Sequence, residues 1–349
     1  TPVKREGNHF QYKVEKTTGG KITLQLDIKA SYGAYTEDEY SVSVSELGGL
    51  MSPSANCYIV PKAATYSFKT VKGNSSESVG SVASAKVLWE TFGTDVAPAV
   101  GDLVKNVSYK DGVITFTATD KKGNAVIAAK DASGKILWSW HIWLTNQPNE
   151  HVYKENAGTM MDRNLGATSA IPGHVATLGL LYQWGRKDPF LGSSSISTSI
   201  EAKSTITWPS AVETSSSVGT VDFVTSNPTT FLKAQDEPYD WHYSYRDDNL
   251  WTTSNRSKSI YDPCPAGWRV PDNEVWIEAW EWDHFGDIGV EGPLYTRFAY
   301  DKTNKGIYIP FSDPSPWYPA AEERYSDSIV CVSGKYWSAS PVGDYALGL

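Results

Sequence analysis

The sequence predicts a multi-domain protein in which an all-β sandwich region is followed by an α+β domain. Two observations predict the sandwich: apolar and polar residues alternate along short segments, and turn signals separate these segments at intervals of roughly ten residues. A third observation marks the second domain, because helical spacing first appears beyond residue 149, where 10 of the 14 Trp also lie. We predict an N-terminal β segment at 1–48, a β-sandwich domain at 49–148 and an α+β domain at 149–349.

The strands of the first two regions follow from period-two alternation. Ile22, Leu24, Leu26 and Ile28 alternate with polar residues, and a similar pattern covers 40–44. Further strands are predicted at 57–60, 65–71, 86–92, 103–109, 113–118, 124–129 and 135–144.

The paired Gly and Pro of 45–55 interrupt the strand pattern and predict a domain boundary. Residues 1–44 hold too few strands to cover both faces of a sheet. The N-terminal β segment is therefore either part of the following sandwich or the end of an upstream domain.

Two short helices are predicted in the last domain. Leu178, Leu181, Tyr182 and Gly185 are three and four residues apart and indicate an amphipathic helix. A second helix is predicted at 271–280, with Asp272 as its N-cap. The Ser/Thr-rich stretch 192–230 predicts a long surface loop, and short strands are predicted around 306–311, 328–332 and 335–340.

Charge and hydropathy exclude several functions. The 31 Lys and Arg against 40 Asp and Glu give a net charge of −9, which argues against nucleic-acid binding because phosphate contacts need clustered cations. The longest strongly apolar run, 136–144, is far shorter than the roughly 20 residues that a transmembrane helix needs. No phosphate-binding GxxxxGK[ST] loop and no GxSxG nucleophile motif occurs. We predict no catalytic residues and no cofactor.

Metal binding is not expected either. The three cysteines, Cys57, Cys264 and Cys331, are far apart in sequence, which allows one disulfide but lacks the spacing of a zinc site. The acidic stretches 236–240 and 247–248 could bind calcium, but without the spacing of a calcium loop they are better interpreted as solvated loops. Gln147-Pro148-Asn149 resembles the sugar-binding tripeptide of calcium-dependent lectins, and its position at the domain entrance indicates a linker turn.

The aromatic residues divide into two groups. Trp184, Trp268, Trp276 and Trp280 lie within helix or turn patterns and are predicted to be buried, because aromatic rings dominate the energetics of burial. The second group, Trp251, Trp317 and Trp337, has polar neighbours in the sequence. These side chains could be exposed and stack on a ligand, or they could be buried, and the sequence favours neither alternative.

Five segments carry a family resemblance: 159–167 (TMMDRNLGA), 179–189 (GLLYQWGRKDP), 261–271 (YDPCPAGWRVP), 317–320 (WYPA) and 336–341 (YWSASP). They resemble Bacteroidales fimbrillin-type adhesins whose last domain is related to the Fibrobacter succinogenes major paralogous domain. The resemblance implies a C-type-lectin-like fold over about 150–349. MDRNLG would be its opening strand, GLLYQWG and PDNEVWIEAW its helices, and KYWSASP a core strand before the ligand face.

The resemblance also implies a function and a ligand site. It implies a secreted adhesin or pilus tip subunit at the cell surface, associated with the outer membrane through a removed lipoprotein signal. Partners would be a glycan or a surface protein, and other pilin subunits joined by β-strand exchange, for which 1–30 is the candidate region. The candidate ligand-binding residues are Trp337, Ser338, Ser340, Pro341, Asp344, Tyr345, Trp317 and Trp251.

Alternatives remain open at this point. The chain could be a structural pilin without a ligand, or a formylglycine-generating type of enzyme on the same fold, although Cys264 in its Pro-Cys-Pro turn favours a structural role. Related domains continue into a closing strand whose Cys would bridge to the position of Cys264, whereas this sequence stops at Leu349. Region 281–301 shows little of the family pattern.

Overall fold

The structure is a computed structural model. It describes residues 2–6, 9–12, 47–152, 159–171, 174–195, 200–233, 240–243, 247, 249–272, 299–301, 306–308, 317–319, 323–325, 328–330 and 339. Within these ranges the chain is mostly β-sheet, and its helices are α1 (Val221–Ser226) and a 3-10 turn at Val175–Thr177. The all-β character expected before residue 145 is confirmed for the residues described there, 2–6, 9–12 and 47–144.

The chain divides into two compact units, Thr1–Val44 and Ser45–Leu349. In the first unit, β1 (Pro2–Glu6) pairs antiparallel with β2 (His9–Tyr12). The strands predicted at 22–28 and 40–44 lie outside the described residues.

The second unit begins with eight strands. They are β3 (Leu47–Leu50), β4 (Cys57–Val60), β5 (Ala64–Lys69), β6 (Ser84–Thr91), β7 (Val104–Lys110), β8 (Val113–Ala118), β9 (Gly123–Lys130) and β10 (Ile136–Leu144). The seven strands predicted here from alternation, β4 to β10, are all confirmed.

The stretch 45–55 is predicted to interrupt the strands, but it contains β3, which pairs in parallel with β5. The Leu-Gly-Gly-Leu sequence has little strand propensity, but the Tyr66 ring of β5 lies against Gly48. A Cβ at Gly48 would lie 2.4 Å from Tyr66 Cδ1, so this strand pairing depends on a glycine.

Two four-stranded sheets result, in the orders β3-β5-β8-β7 and β4-β10-β9-β6. Both are mostly antiparallel; the parallel pairs are β3 with β5 and β4 with β10. Their facing sides share one apolar core, so this region is a β-sandwich. Phe68 of β5 stands at its centre, with its ring centroid 4.9 Å from that of Tyr58 on β4 and 5.0 Å from that of Trp140 on β10.

The second sheet is buried on both of its faces. Trp138, Trp140 and Ile142 of β10 face the sandwich core, yet Ser139 and His141 between them are also buried. Burial on both faces explains why 136–144 is apolar apart from Ser139 and His141, since a strand with one face in water alternates more cleanly.

Residues beyond β10 supply the cover for the outer face of that sheet. Their strands are β11 (Glu150–Val152), β12 (Thr159–Met161), β13 (Leu180–Leu181), β14 (Phe190–Leu191), β15 (Val212–Glu213), β16 (Leu232–Lys233), β17 (Ala299–Asp301), β18 (Gly306–Tyr308), β19 (Trp317–Pro319), β20 (Glu323–Tyr325) and β21 (Ser328–Val330). The strands expected near 306 and 328 are present as β18 and β21. The opening strand expected over MDRNLG is wrong for most of its length, because β12 ends at Met161 and residues 162–166 form bends and turns.

The helix predicted over Leu178–Gly185 is wrong. Residues 180–181 form β13, which pairs with β14, and a 3-10 turn precedes it. Gly179 and Gly185 adopt φ of +77° and +80°, so the backbone leaves the helical region at both ends of the motif. The three- and four-residue spacing instead places Leu180 and Trp184 in two different hydrophobic clusters.

The surface loop predicted at 192–230 is wrong in part, because this stretch contains β15 and α1. Thr220 caps the helix by accepting a hydrogen bond from Phe223 N at 3.1 Å. Six residues are too few for helical periodicity to stand out in a Ser/Thr-rich sequence. The second predicted helix lies outside the described residues from 273 onward, as does the strand at 335–340 apart from Ala339.

Candidate functional site

The outer face of the sheet β4-β10-β9-β6 is covered by side chains and backbone of residues 159–272, and we call this contact the seam. The outer-face residues are Cys57, Trp89, Asn124, Val126, Ser139, His141 and Trp143. All are buried, and three of them are polar. Since a buried polar group without a partner costs free energy, the hydrogen bonds of the seam decide its geometry.

A buried ion pair lies at one position of the seam. Lys187 Nζ is 2.9 and 2.8 Å from the two carboxylate oxygens of Asp188 and donates to Ser139 Oγ at 2.6 Å. The Ser139 hydroxyl donates to Asp188 Oδ1 at 2.5 Å. Lys187 Nζ also lies 4.6 Å from the centroid of the Trp138 ring. Burial lowers the pKa of Lys187, and the neighbouring carboxylate partly offsets this.

Histidine occupies the next outward position of β10. One ring nitrogen of His141, Nε2, is 2.9 Å from Asn124 Oδ1, and Asn124 Nδ2 donates to Gly166 O at 2.8 Å. An amide oxygen is an acceptor only, so Nε2 carries the proton and Nδ1 has the lone pair. Nδ1 has no partner among the described residues. Burial lowers the pKa of His141 to about 3, so the imidazole is neutral.

The CPAGWRVP string forms a turn that is bonded to β4. Asp262 accepts hydrogen bonds from Cys264 N at 2.8 Å and Val270 N at 3.0 Å, which closes the turn. Asn56 Nδ2 donates to the Asp262 carbonyl at 2.8 Å and to the Ile260 carbonyl at 2.7 Å. Asn56 Oδ1 accepts from Trp138 Nε1 at 3.0 Å. One side chain thus joins the turn, β4 and β10.

The described residues within 159–272 that cover the outer face form what we call the covering layer. Arg186 lies inside this layer and holds its parts together. Its guanidinium is buried and donates to Gln183 Oε1 at 2.7 Å and to the carbonyl of Thr230 at 2.8 Å. Its own carbonyl accepts from Trp251 Nε1 at 3.0 Å. Burial lowers the pKa of Arg186 to about 10, and the charge of Asp188 opposes this shift. The GLLYQWGRKDP string therefore supplies both a cationic anchor and the Lys187–Asp188 pair.

Residues 145–149 connect β10 to β11, where a linker turn is predicted. Asn149 Nδ2 donates to Asp162 Oδ2 at 2.9 Å, and Arg163 donates to Thr145 Oγ1 and Asn146 Oδ1, both at 3.2 Å. Asp162 and Arg163 are themselves paired and nearly fully buried. Burial raises the pKa of Asp162, but the hydrogen bonds and charge of Arg163 outweigh it and hold the pKa below 3.8.

Cys57 and Cys264 are free and buried in the structure, while Cys331 lies outside the described residues. Burial raises the pKa of both thiols far above the ordinary value. A thiol that stays protonated is a poor nucleophile and a poor metal ligand. Their environment favours a structural role.

The structure describes the side chain of one candidate ligand residue, Trp251, and the backbone of another, Trp317. Trp251 is 1% exposed and belongs to the cluster around Trp184, so it is a core residue and its proposed stacking on a ligand is wrong. Trp184 is buried as expected, and Trp268 is half-buried against the same cluster. Trp317 lies in β19, and its side chain is not described. The remaining candidates lie outside the described residues: Trp337, Ser338, Ser340, Pro341, Asp344 and Tyr345. So do the predicted core residues Trp276 and Trp280.

The seam residues were not recognised from the sequence, although one signal was available. Ser139 and His141 interrupt the apolar run ILWSWHIWL at alternate positions, which places both on one face of a strand. Polar residues repeating on one face of an otherwise buried strand indicate a polar layer in contact with other protein. No local signal identifies their partners, which are 17 to 49 residues away in sequence.

One open depression lies at the end of the sandwich. It has a volume of about 470 Å³ and is lined by residues that include Asp102, Lys105, Thr117 and Lys121. Lys121 Nζ is already bonded to Asp102 Oδ1 at 2.6 Å, so these charges neutralise each other. Within the described part of the chain, no cluster of three or more His, Cys, Asp or Glu side chains is arranged to hold a metal ion.

Comparison of the chain with protein-family models, with curated proteins and with solved structures finds no match. Among the described residues, no helix has the length and apolar character needed to span a membrane.

Proposed function

We propose that the protein is a cell-surface adhesin or pilus tip subunit that displays a C-type-lectin-like domain and binds a glycan or protein ligand without catalysis. The observation that carries the proposal is the position of Ala339, which lies within the candidate ligand segment and contacts the covering layer. Ala339, between the candidate residues Ser338 and Ser340, is 1% exposed and lies in the Trp184 and Trp251 cluster. Its backbone N–H donates to Pro271 O at 2.8 Å.

Ala339 is thereby connected to residues that are hydrogen-bonded to the sandwich. Pro271 follows directly on the turn closed by Asp262, and Asn56 bonds that turn to the sandwich. A binding loop held by a rigid scaffold loses little conformational freedom when a ligand binds, which raises affinity. Such a construction suits display of a loop and needs no catalytic group.

The resemblance strings have positions that fit this interpretation. MDRNLG, GLLYQWGRKDP and CPAGWRVP each contribute buried ionic or polar contacts to the covering layer. These contacts account for the strings as structural determinants, while ligand specificity would reside in the loops. The buried, protonated thiols of Cys57 and Cys264 favour this reading over a copper-dependent formylglycine-generating type of enzyme.

The test is a glycan-array screen of the full 349-residue chain, with calcium and with chelator. Binding should be lost in the Trp337→Ala, Tyr345→Ala double variant. Tyr243→Ala is the matched control, because Tyr243 is 56% exposed and outside the candidate loop. Loss in the double variant with retention in the control supports a lectin-like site.

A blank array from well-folded protein would overturn the glycan form of the proposal. The protein-ligand form is then tested by binding to intact host and bacterial cells before and after surface proteolysis, with the same three proteins. Equal binding by the wild type and the double variant, or none by either, would contradict a ligand site on the terminal loop.

Subunit joining by β-strand exchange is a separate part of the proposal. Removing residues 1–30 should abolish assembly of purified subunits into higher-order species, measured by size-exclusion chromatography with light scattering. A structural pilin would assemble without binding any ligand. Assembly that survives the truncation would contradict the role proposed for this segment.

A further inference from the structure

A contribution to stability does not explain why a histidine occupies position 141 of the seam. Its side chain is 2% exposed, it makes a single hydrogen bond among the described residues, and its Nδ1 faces buried surroundings without a donor. A glutamine or leucine would fill this position without a titratable group. Buried histidines that are neutral at pH 7 and lie at an interface are a common basis for pH-sensitive switches.

We propose that the seam is an acid-sensitive latch, in which protonation of His141 releases the covering segment 159–191 from the outer face while the sandwich stays folded. Neutral His141 donates through Nε2 to Asn124, and Asn124 donates onward to Gly166 O in the covering segment. Protonation adds a buried donor at Nδ1 that has no acceptor among the described residues.

The charged and titratable groups along the seam do not compensate such a charge. On the covering segment, Lys187 is paired with Asp188 and Arg163 with Asp162. On β4, the residue opposite His141 is Cys57, whose thiol is protonated. Below the turn, Lys258 lies 3.6 Å from Asp262. The low pKa of His141 has burial as its cause, and among the residues that the structure describes no carboxylate near it stabilises the imidazolium.

The opening is local because the two faces of the sheet differ. His141 and Asn124 lie on the outer face, whereas the sandwich core on the inner face is built from aliphatic and aromatic side chains. Protonation on the outer face leaves the packing of Phe68, Phe116 and Trp140 unchanged. The covering segment is therefore the part that separates first.

The direction of the pH effect follows from the pKa values. His141 titrates at about 3 in the folded protein and near 6.5 when exposed, so the opened form binds the proton more tightly. The closed form loses stability as pH falls from 6.5 toward 3. Relative to pH well above 6.5, opening is favoured about twofold at pH 6.5 and about thirtyfold at pH 5, which is a change of about fifteenfold between the two. The pKa of Asp162 is lowered, whereas burial raises the pKa of Asp262, so the comparison with a variant at His141 separates protonation of His141 from that of Asp262.

The experiment is amide hydrogen exchange on the full chain at pH 6.5 and pH 5.0, corrected for the intrinsic pH dependence of exchange. Between these two pH values, protection of amides in 159–191 should fall about fifteenfold, while that of β8 (Val113–Ala118) changes little. In His141→Gln the amide donates to Asn124 but cannot be protonated, so protection should be nearly independent of pH.

Two results would overturn the proposal. One is an equal loss of protection in the wild type and in His141→Gln, and the other is a parallel loss in β8. If His141→Gln does not fold, the imidazole resonances of the wild-type protein decide the question instead. A folded-state titration of His141 near pH 6.5 would overturn the latch, and no titration between pH 7 and 5 would support it.

Discussion

The two faces of the sheet β4-β10-β9-β6 are both buried, but only the outer face combines apolar side chains with buried polar ones. The inner face packs aliphatic and aromatic side chains, with Phe68, Tyr58 and Trp140 in ring contact. The outer face buries Ser139 and His141, which need specific partners. Apolar burial is stabilising in proportion to area and does not depend on direction, whereas buried polar contacts are directional. The inner face therefore provides stability, and the outer face fixes where the covering layer lies.

The largest effect is expected from dividing the chain at residue 148, because this separates the outer face of the sheet from the residues that cover it. The sequence predicts separate domains on either side of that point, but the seam makes each side part of the other's core. A fragment of residues 149–349 should show no cooperative thermal transition, because it loses Asn56, Asn124, Ser139 and His141 as partners. Differential scanning calorimetry beside a fragment of residues 45–349 measures this. A sharp transition in the shorter fragment would show that the seam is dispensable for folding.

The next largest effect is expected at the buried ion pair. Asp188→Ala leaves the charge of Lys187 buried without its partner and should reduce the free energy of unfolding by about 3–5 kcal/mol. The double variant Lys187→Met, Asp188→Leu removes both charges and should be far closer to the wild type. Urea denaturation followed by circular dichroism gives the comparison. Similar losses in the single and double variants would mean that side-chain volume, rather than charge, decides stability here.

Asn56→Ala isolates the polar link between the turn and the sandwich. It removes two bonds to the carbonyls of Ile260 and Asp262 and leaves Trp138 Nε1 without its acceptor. We expect a loss of about 2–4 kcal/mol in urea denaturation, since each buried unsatisfied group costs about 1–3 kcal/mol. Asn249→Ala, at an exposed turn position, is the control and should change stability little. Equal effects would indicate that the turn docks by shape alone.

The smallest effect is expected at a surface ion pair that has the same chemistry as the buried one. Lys72 pairs with Glu77, and their side chains are 27% and 59% exposed. Glu77→Gln should change the free energy of unfolding by less than about 1 kcal/mol, because water and salt screen exposed charges. Urea denaturation at low and high salt measures both the size and the screening. A cost comparable to that of Asp188→Ala would remove the distinction drawn between the two environments.

The strands of the sandwich were predictable because the information is local. Alternation along β8, for example, is visible within six residues, and a Lys-Asp-Gly turn separates β7 from β8. The helix expected at 178–185 was wrong for a reason that is also physical. Its spacing fits a helix, but Gly179 and Gly185 adopt positive φ and the apolar side chains enter two separate clusters.

The sequence by itself determined which segments form strands, since period-two alternation and turn residues act within a few positions. Only the tertiary structure decided what covers the outer face, that Trp251 is a core residue, and that the motif strings act as anchors. The partners in these contacts are far apart along the chain; Asn56 and Asp262 are separated by 206 residues. A hydrogen-bond donor can pair with many acceptors, and packing decides which acceptor lies beside it. The partners across the seam therefore cannot be predicted from the sequence alone.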